Sequence, residues 1–383
     1  MALHFSREEF AARLDRTLAA MEDKGLDALL AFAPETHYWL TGFDTFGYCF
    51  FQCLVVRADG QMTLLTRSAD LRQAQQTSLI SDIRIWEDRD GANPAEDLAD
   101  LLVSLGLLGK RVGVEIDTHG LTHRNGKRLE AALEGRFDML DASLLVPPLR
   151  LVKSAAEIAC VTRAAELADD AFDAALGVIG PGADEGHVLA AMQGAVFAGG
   201  GDYPGNPFIV GSGRDALLCR YKSGRRVLEP QDQITLEWAG VHRQYHAAMM
   251  WTVPVGRASD RHKRLFEVSR DALMACEGAL APGNTMGDVF AAHAETFDRA
   301  GLSQHRLNAC GYAMGARYAP SWMDYPMFYR DNPAILAPDM TFFLHMICMD
   351  SESGTAMTLG RSYRVTQAGN TCLSRRPLEL VVR

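Results

Sequence analysis

The sequence lacks the features that mark membrane proteins, secreted proteins and nucleic-acid-binding proteins. No uncharged apolar run approaches the length of a transmembrane helix. The N-terminus, MALHFSREEF, does not have the basic-then-apolar layout of a signal peptide. The formal net charge is −10, whereas binding to a phosphate backbone requires a basic surface. We therefore expect a cytoplasmic protein with neither a nucleic acid nor a membrane as its partner.

The sequence also lacks a paired-cysteine motif. Its eight cysteines are spread along the chain, and none belongs to a Cys-x-x-Cys pair. Cys49 and Cys53 are the closest two, and they lie in an apolar segment that suits packing better than zinc binding. The cysteines are thus expected to be reduced thiols, mostly buried, in a reducing compartment.

Length and composition fit an ordinary two-domain globular protein. The chain has 383 residues, of which 48% are hydrophobic and 22% are charged. In the first part, predicted strands alternate with predicted helices, and Asp59-Gly60 marks a hairpin. This alternation predicts an α/β layer domain over residues 1–148, which ends at a Pro-Pro pair. Residues 149–383 then form the second domain.

The second predicted domain begins with a capped helix and contains a long strand pair. Ser154 and Glu157 have the spacing of a capping box, and an apolar stripe at steps of three and four residues follows them. The pattern of residues 234–256 predicts two strands joined by a turn at Gly240. Because side chains alternate along a strand, Glu237 lies on the face opposite to its apolar neighbours.

Three segments resemble the creatinase/prolidase/methionine-aminopeptidase superfamily, whose catalytic domain is called the pita-bread fold. They are a helix start at 149–158, the strand pair at 234–256 and a later helix start at 280–289. The resemblance implies an α/β (α+β) protein in which an N-terminal creatinase-type domain precedes the pita-bread catalytic domain. It also implies an internal pseudo-repeat within that catalytic domain.

In the metallopeptidases of this superfamily, five side chains hold a pair of metal ions. The matching positions in this sequence are Glu237, Ala248, Tyr312, His345 and Gly360. Alanine and glycine offer no ligand atom, and tyrosine is a poor ligand. A single transition metal on Glu237 and His345 would have two protein ligands, fewer than the three of a usual catalytic zinc site. The sequence therefore predicts a site without a metal and without another cofactor.

Two motifs are most similar to the metal-free branch of the superfamily, which contains creatinase and ectoine hydrolase. They are the stretch from Glu237 to His246 and the segment after Cys310, with Trp322 downstream. The resemblance implies a hydrolase that cuts a C–N bond in a small cationic or zwitterionic solute with side chains alone. One position departs from that branch, because Arg220 stands where creatinase-like enzymes have a catalytic histidine.

The polar residues of these motifs have candidate roles. Glu237 orients the substrate or water, and His246 or His345 moves protons, because imidazoles titrate near neutral pH. His246 is predicted close to Glu237 on the same strand face, with a core histidine as the alternative. Arg220 binds a substrate carboxylate, pairs with Glu237, or belongs to a basic surface cluster. Tyr312 donates a hydrogen bond to the substrate.

Aromatic residues and one cysteine complete the candidate site. Tyr312 and Trp322 belong to a group of aromatic residues whose ring faces favour a compact cation beside Glu237. Cys219 is a candidate nucleophile if a neighbouring cation or imidazole produces its thiolate, and the alternative is an inert buried thiol.

A homodimer is expected from the same resemblance. The aromatic loop 38–48 matches a loop that reaches into the active site of the partner in creatinase-like dimers. Phe46 and Tyr48 are its predicted contributors to substrate binding. The N-terminal domain is therefore predicted to lie near the active site of the partner subunit.

Three other functions stay open alongside a metal-independent hydrolase. The first is a metal-dependent Xaa-Pro dipeptidase or aminopeptidase, against which the missing ligands count. The second is a lyase that acts on a sulfonium or betaine-type solute. The third is a binding protein without catalytic activity on the same scaffold. The metal content and the class of small molecule bound separate these hypotheses.

Overall fold

The computed structural model describes residues 3–383. They divide after Arg150 into two compact units, of which the second spans Leu151–Arg383. This division lies two residues after the boundary that we predicted from the sequence. Both units combine helices with a sheet, which confirms the predicted α/β (α+β) class.

The first unit is built around a six-stranded sheet. Its helices are α1 (Arg7–Asp23), α2 (Pro34–Thr41), α3 (Leu71–Thr77), α4 (Pro94–Ser104) and α5 (His123–Leu133), and α6 (Pro147–Leu151) follows at the junction. Its strands are β1 (Ala28–Ala31), β2 (Cys53–Arg57), β3 (Met62–Thr66), β4 (Asp82–Ile85), β5 (Arg111–Val114) and β6 (Asp138–Asp141). The strand order is β4-β3-β2-β1-β5-β6. The predicted hairpin at Asp59-Gly60 joins β2 and β3, and Gly60 takes a positive φ of 83°.

The second unit is built around an eight-stranded sheet. Its helices are α7 (Ala155–Leu176), α8 (Glu185–Ala198), α9 (Asp260–Ala279) and α10 (Met286–Arg299). Its strands are β7 (Ile209–Ser212), β8 (Asp232–His242), β9 (Tyr245–Val255), β10 (Ala309–Ala313), β11 (Asp324–Tyr329), β12 (Thr341–Asp350), β13 (Thr355–Thr366) and β14 (Gly369–Cys372). Seven of them follow the order β11-β10-β12-β13-β9-β8-β7, and β14 pairs with β13.

Three helices of the second unit, α7, α9 and α10, begin with a capping box. At the start of α7, the Ser154 hydroxyl accepts from the Glu157 amide at 3.2 Å, and Glu157 accepts from the Ser154 amide at 2.8 Å. At the start of α10, Thr285 and Asp288 form the equivalent reciprocal pair. Each pair satisfies two backbone donors that would otherwise have no partner. The repeated helix start agrees with the predicted internal pseudo-repeat.

The turn of the central strand pair lies beyond its predicted position. β8 continues through Gly240, and the chain reverses at Arg243 and Gln244, whose φ angles are 51° and 66°. A Cβ at Gly240 would lie 1.9 Å from the carbonyl oxygen of Ala164 in α7. The predicted turn at Gly240 is therefore wrong, because the glycine allows a helix to approach the strand closely.

Two further expectations concern membrane-spanning helices and the state of the cysteines. Within residues 3–383, no helix is both long enough and apolar enough to cross a membrane. All eight cysteines are free, and most are buried, as the sequence predicts.

Candidate active site

Strand pairing brings Glu237 and His345 onto one row across the large sheet. His345 lies opposite Gly360, Gly360 lies opposite Met250, and Met250 lies opposite Glu237. Residues that lie opposite each other on neighbouring strands point to the same face of a sheet. Three of the five positions that correspond to metal ligands therefore share this row, with the thioether of Met250 between them.

The other two positions lie on the adjacent row of the same face. Tyr312 lies opposite Phe343, and Phe343 lies opposite Ser362. The Ser362 hydroxyl donates to the carbonyl oxygen of Ala248 at 2.9 Å, which places Ala248 next along the row. The two rows together form the floor of the candidate site.

Glu237 is the carboxyl group of this floor. Its side chain is buried, with a relative exposure of 7%. Burial raises its pKa to about 7, while the positive charge of Arg220 and the hydroxyl of Tyr312 act in the opposite direction. A carboxyl group with this pKa is partly protonated at neutral pH and can both accept and return a proton.

Tyr312 and Trp322 extend from Glu237 as a hydrogen-bonded pair. The indole Nε1 of Trp322 donates to the Tyr312 hydroxyl oxygen at 2.8 Å. That hydroxyl donates to Oε1 of Glu237 over a long 3.5 Å. Burial raises the pKa of Tyr312 well above its ordinary value, so the phenol keeps its proton at neutral pH. The structure thus links Trp322 to Glu237 through Tyr312, and the predicted role of both aromatic residues in substrate binding stays a prediction.

Arg220 lies at the edge of this group, in the loop before β8. Its side chain is exposed and makes no hydrogen bond or ion pair with residues 3–383. Its charge nevertheless lowers the pKa of Glu237 and of His345. The guanidinium is therefore close enough to act on the site, and the predicted ion pair with Glu237 does not form.

His345 lies among aromatic rings. Its ring centroid is 5.7 Å from that of Tyr312 and 5.5 Å from that of Phe343. Burial lowers its pKa to about 4, so the imidazole is neutral at pH 7. Within the described part of the chain, its Nδ1 has no hydrogen-bond partner. His345 therefore offers a neutral polar group to whatever occupies the site.

His246 is on the predicted face but is not close to Glu237. It lies in β9, where it pairs with Val241 of β8, and it precedes Met250 by four residues, about 13 Å along the strand. Its Nε2 accepts from the Gly205 amide at 2.9 Å, and burial lowers its pKa to about 4. The predicted closeness to Glu237 is wrong, because the strand register pairs Glu237 with Met250 and His246 with Val241.

The remaining predicted residues fall into two groups. Burial and Glu237 raise the pKa of the Cys219 thiol, so it is a thiol at neutral pH, which favours the inert alternative. Phe46 and Tyr48 belong to the first unit, where Phe46 is 78% exposed and Tyr48 is buried. Their contribution to the active site of a partner subunit stays a prediction.

Sequence reasoning missed two residues that shape the site. Phe343 packs edge-on against Tyr312, with ring centroids 5.4 Å apart. Its ring also covers Gly360, where a Cβ would lie 2.8 Å from ring atoms. Asn206 accepts from the Trp322 amide through Oδ1 at 3.2 Å. Phe343 could have been identified from the sequence, because side chains two residues apart in a strand share a face and Phe343 lies two residues before His345. No sequence signal indicates Asn206.

Known family models match both units. The model of metallopeptidase family M24 matches residues 159–367, and the creatinase/prolidase N-terminal domain matches residues 13–152. The chain belongs to metallopeptidase family M24. This membership confirms the superfamily that the motifs predicted, and it supports a hydrolase of the creatinase/M24 family.

Relatives of this M24 protein include both kinds of enzyme that we considered. It is 27% identical to ectoine hydrolase of Halomonas elongata over 403 residues, which covers 100% of this chain and 99% of that protein. It is 20% identical to an Xaa-Pro dipeptidase of Pyrococcus furiosus, with 79% of this chain and 82% of that protein covered.

Solved structures agree with the fold. A prolidase from Thermococcus sibiricus superposes with a TM-score of 0.88 at 18% identity, covering 98% of this chain and 99% of that one. Dipeptidase PepE from Mycobacterium ulcerans gives a TM-score of 0.85 at 24% identity, covering 99% of both chains. These similarities confirm the predicted creatinase-type and pita-bread architecture.

The metal pair that the M24 family name implies does not fit the residues present. Within residues 3–383, no group of three or more His, Cys, Asp or Glu side chains is arranged to hold a metal ion. Ala248 supplies no ligand atom, and the Phe343 ring occupies the space that a side chain at Gly360 would need. The residues at these five positions therefore do not form the donor set of a metal pair.

Proposed function

We propose that this M24 protein hydrolyses a C–N bond in a small zwitterionic solute without a metal ion. The observation that carries the proposal is the pairing of a buried carboxyl with an unpaired cation at the same site. Glu237 makes one long hydrogen bond, which leaves acceptor capacity for a ligand. Arg220 makes no ion pair within the described residues, which leaves its donors for a ligand.

The charges define how such a solute would lie. The cationic nitrogen group would face Glu237, with the rings of Tyr312 and Phe343 beside it. A carboxylate of the same molecule would face Arg220, whose planar guanidinium can form two hydrogen bonds with it. A molecule with both charges would compensate each unpaired group of the site.

Glu237 would also perform the proton transfers of hydrolysis. In its ionised form it would take a proton from a water molecule as the water oxygen bonds to the electrophilic carbon. As the C–N bond breaks, the same carboxyl would return that proton to the leaving nitrogen. A pKa of about 7 suits both steps at neutral pH. Tyr312 would donate a hydrogen bond to Glu237 or to the negative charge that develops on the substrate. Neutral His345 would bind the substrate.

A metal-dependent Xaa-Pro dipeptidase is the second candidate, favoured by the similarity to the dipeptidase of Pyrococcus furiosus. The residues at the five positions that match metal ligands count against this dipeptidase, because they do not form the donor set of a metal pair. The lyase and the non-catalytic binding protein stay alternatives that the same experiment addresses.

A ligand screen with metal control tests the proposal. Purified protein, treated with EDTA or with added Mn²⁺, is screened by thermal shift against ectoine, creatine, betaines and Xaa-Pro dipeptides. We expect a zwitterionic solute to raise the Tm equally under both conditions, because ligand binding stabilises the native state. Release of the nitrogen-containing product is then followed by NMR.

The Arg220→Ala variant is the matched control for the screen. It should show a smaller stabilisation by solutes that carry a carboxylate and an unchanged stabilisation by purely cationic ones. Cleavage of a proline dipeptide that requires added Mn²⁺ would overturn the proposal in favour of the dipeptidase. Elimination without uptake of water would indicate the lyase, and binding without turnover the binding protein.

A further inference from the structure

We propose that a chain of contacts from His246 turns the hydroxyl proton of Tyr312 toward Glu237. Trp322 is the central positioning residue of this chain. The successive links are His246, Gly205, Asn206, Trp322, Tyr312 and Glu237. The proposal concerns the same site as the proposed function, but it rests on contacts within the protein and not on the identity of the substrate.

The link between Trp322 and Tyr312 fixes the direction of the hydroxyl group. An indole nitrogen can only donate, so at 2.8 Å the Tyr312 oxygen must accept. The single proton of the hydroxyl then has to point elsewhere. The structure gives it one other polar neighbour among the described residues, Oε1 of Glu237 at 3.5 Å. Trp322 therefore makes Tyr312 a donor to the carboxylate.

The loop before β7 holds Trp322 in the orientation that this requires. The Oδ1 of Asn206 accepts from the Trp322 backbone amide at 3.2 Å. A Cβ on Gly205 would lie 2.8 Å from that same amide nitrogen, so the two backbones are in direct contact. Only glycine permits this approach. A shift of the loop would thus move the indole ring away from Tyr312.

His246 fixes the loop from the other side. Its Nε2 accepts from the Gly205 amide at 2.9 Å and must be unprotonated to do so. Arg317 and Asp324 are the charged groups that act on this imidazole, in opposite directions. Burial dominates and keeps the imidazole neutral at pH 7. His246 can therefore influence Glu237 from a distance, without being a base.

Substrate-free NMR tests the chain. The protein has five tryptophans, and ¹⁵N-labelled indole groups give one resonance each, with that of Trp322 assigned from Trp322→Phe. We expect the Trp322 resonance to shift with a midpoint near pH 7 as Glu237 ionises. The groups facing Glu237 are Arg220, Cys219, Tyr312 and His345. Burial raises the pKa of the Cys219 thiol and of the Tyr312 hydroxyl and lowers that of His345, so these three are not expected to titrate near pH 7. The Trp238 indole, which donates to Ala168 on the other face of the sheet, serves as the unaffected control.

Variants separate the links of the chain. Glu237→Gln and Tyr312→Phe should each abolish the shift of the Trp322 resonance. His246→Gln keeps an acceptor and should preserve the resonance, whereas His246→Leu should displace it while the Trp238 resonance, which reports an intact fold, stays in place.

Three results would overturn the proposal. They are a Trp322 resonance that does not respond between pH 5.5 and 8.5, a response that survives Tyr312→Phe, and a resonance that His246→Leu leaves unmoved. Because no substrate is added, these results do not depend on whether the proposed hydrolysis is correct.

Discussion

Each unit of the protein contains a buried carboxyl group whose pKa is raised to about 7 by burial, Glu115 in the first and Glu237 in the second. Their hydrogen bonds differ. Glu115 accepts from the amides of Phe32 and Ala33 at 3.0 and 2.9 Å and from the Thr36 hydroxyl at 2.6 Å. Glu237 accepts one bond, at 3.5 Å. Burial and pKa are thus alike in the two groups, and hydrogen-bond saturation distinguishes them.

The difference indicates what each carboxyl is for. Glu115 satisfies donors at the start of α2, so its oxygens are occupied by its own fold. Glu237 is held in place by its strand and keeps acceptor capacity for something that is not part of the chain. A perturbed pKa alone therefore does not distinguish a functional carboxyl from a structural one.

Removing the carboxylate of Glu237 should have the largest effect of all on activity. We expect Glu237→Gln to lower kcat for the substrate found in the screen by about 10²–10⁴-fold, the usual contribution of a general acid–base group. The thermal unfolding of the variant should remain cooperative. Wild-type activity in this variant would remove Glu237 from the mechanism, and Glu115→Gln is the control that should leave kcat unchanged.

Removing Glu115 should instead affect stability. Glu115→Ala leaves two buried amides and one hydroxyl without an acceptor, and we expect a loss of about 2–4 kcal/mol in the stability of the first unit. Hydrogen exchange of the segment that contains Phe32 and Ala33 measures this loss. Glu237→Ala should leave exchange in that segment unchanged. Unchanged exchange in Glu115→Ala would mean that the three bonds do not stabilise α2.

The pH dependence of stability should show that the two carboxyls are alike. A folded-state pKa of about 7 lies above the ordinary value of 4.5, so the folded state binds the proton more tightly. Each group therefore makes the protein less stable as pH rises from 4.5 to 7, and the loss is complete above that range.

The size of this dependence can be measured with Glu237→Gln, which cannot ionise. Relative to wild type, the variant should gain up to about 3 kcal/mol in unfolding free energy between pH 4 and pH 8. Denaturant unfolding at several pH values checks this expectation. A difference between the two proteins that is independent of pH would show that Glu237 titrates at its ordinary value.

The smallest expected effect is that of Arg220→Ala. The charge of Arg220 lowers the pKa of Glu237, so its removal should move the acid limb of the activity profile to higher pH. Because the guanidinium is exposed, the KM for a carboxylate-bearing substrate should rise by no more than about fivefold. Arg220→Lys should restore the pH profile more fully than the KM. An unchanged profile would place Arg220 outside the site.

The sequence predicted the local devices of the fold correctly. The capping box of Ser154 and Glu157 and the hairpin at Asp59-Gly60 depend on neighbouring residues alone, and both are present. The face of Glu237 follows from strand alternation. Family motifs then identified the positions that come together at the site. Side-chain alternation alone could not show that these positions are neighbours in space.

The errors arose where the outcome depends on distant segments. The local sequence predicts a turn at Gly240 because it contains no sign that Ala164 of α7 packs against this glycine. The location of His246 depends on strand register, which the turn at Arg243 and Gln244 fixes. The covering of Gly360 by Phe343 depends on the pairing of β12 with β13, which no local pattern specifies.

The packing of Phe343 over Gly360 has an evolutionary consequence. A glutamate introduced at position 360 would collide with the ring, and a smaller residue at 343 alone would leave a cavity and no ligand. Neither change is useful without the other, and Ala248 would still need a carboxylate. A two-metal cage in a descendant of this chain would therefore require substitutions at several positions. The packing of one ring thus ties the residue that position 360 can hold to the residue at position 343.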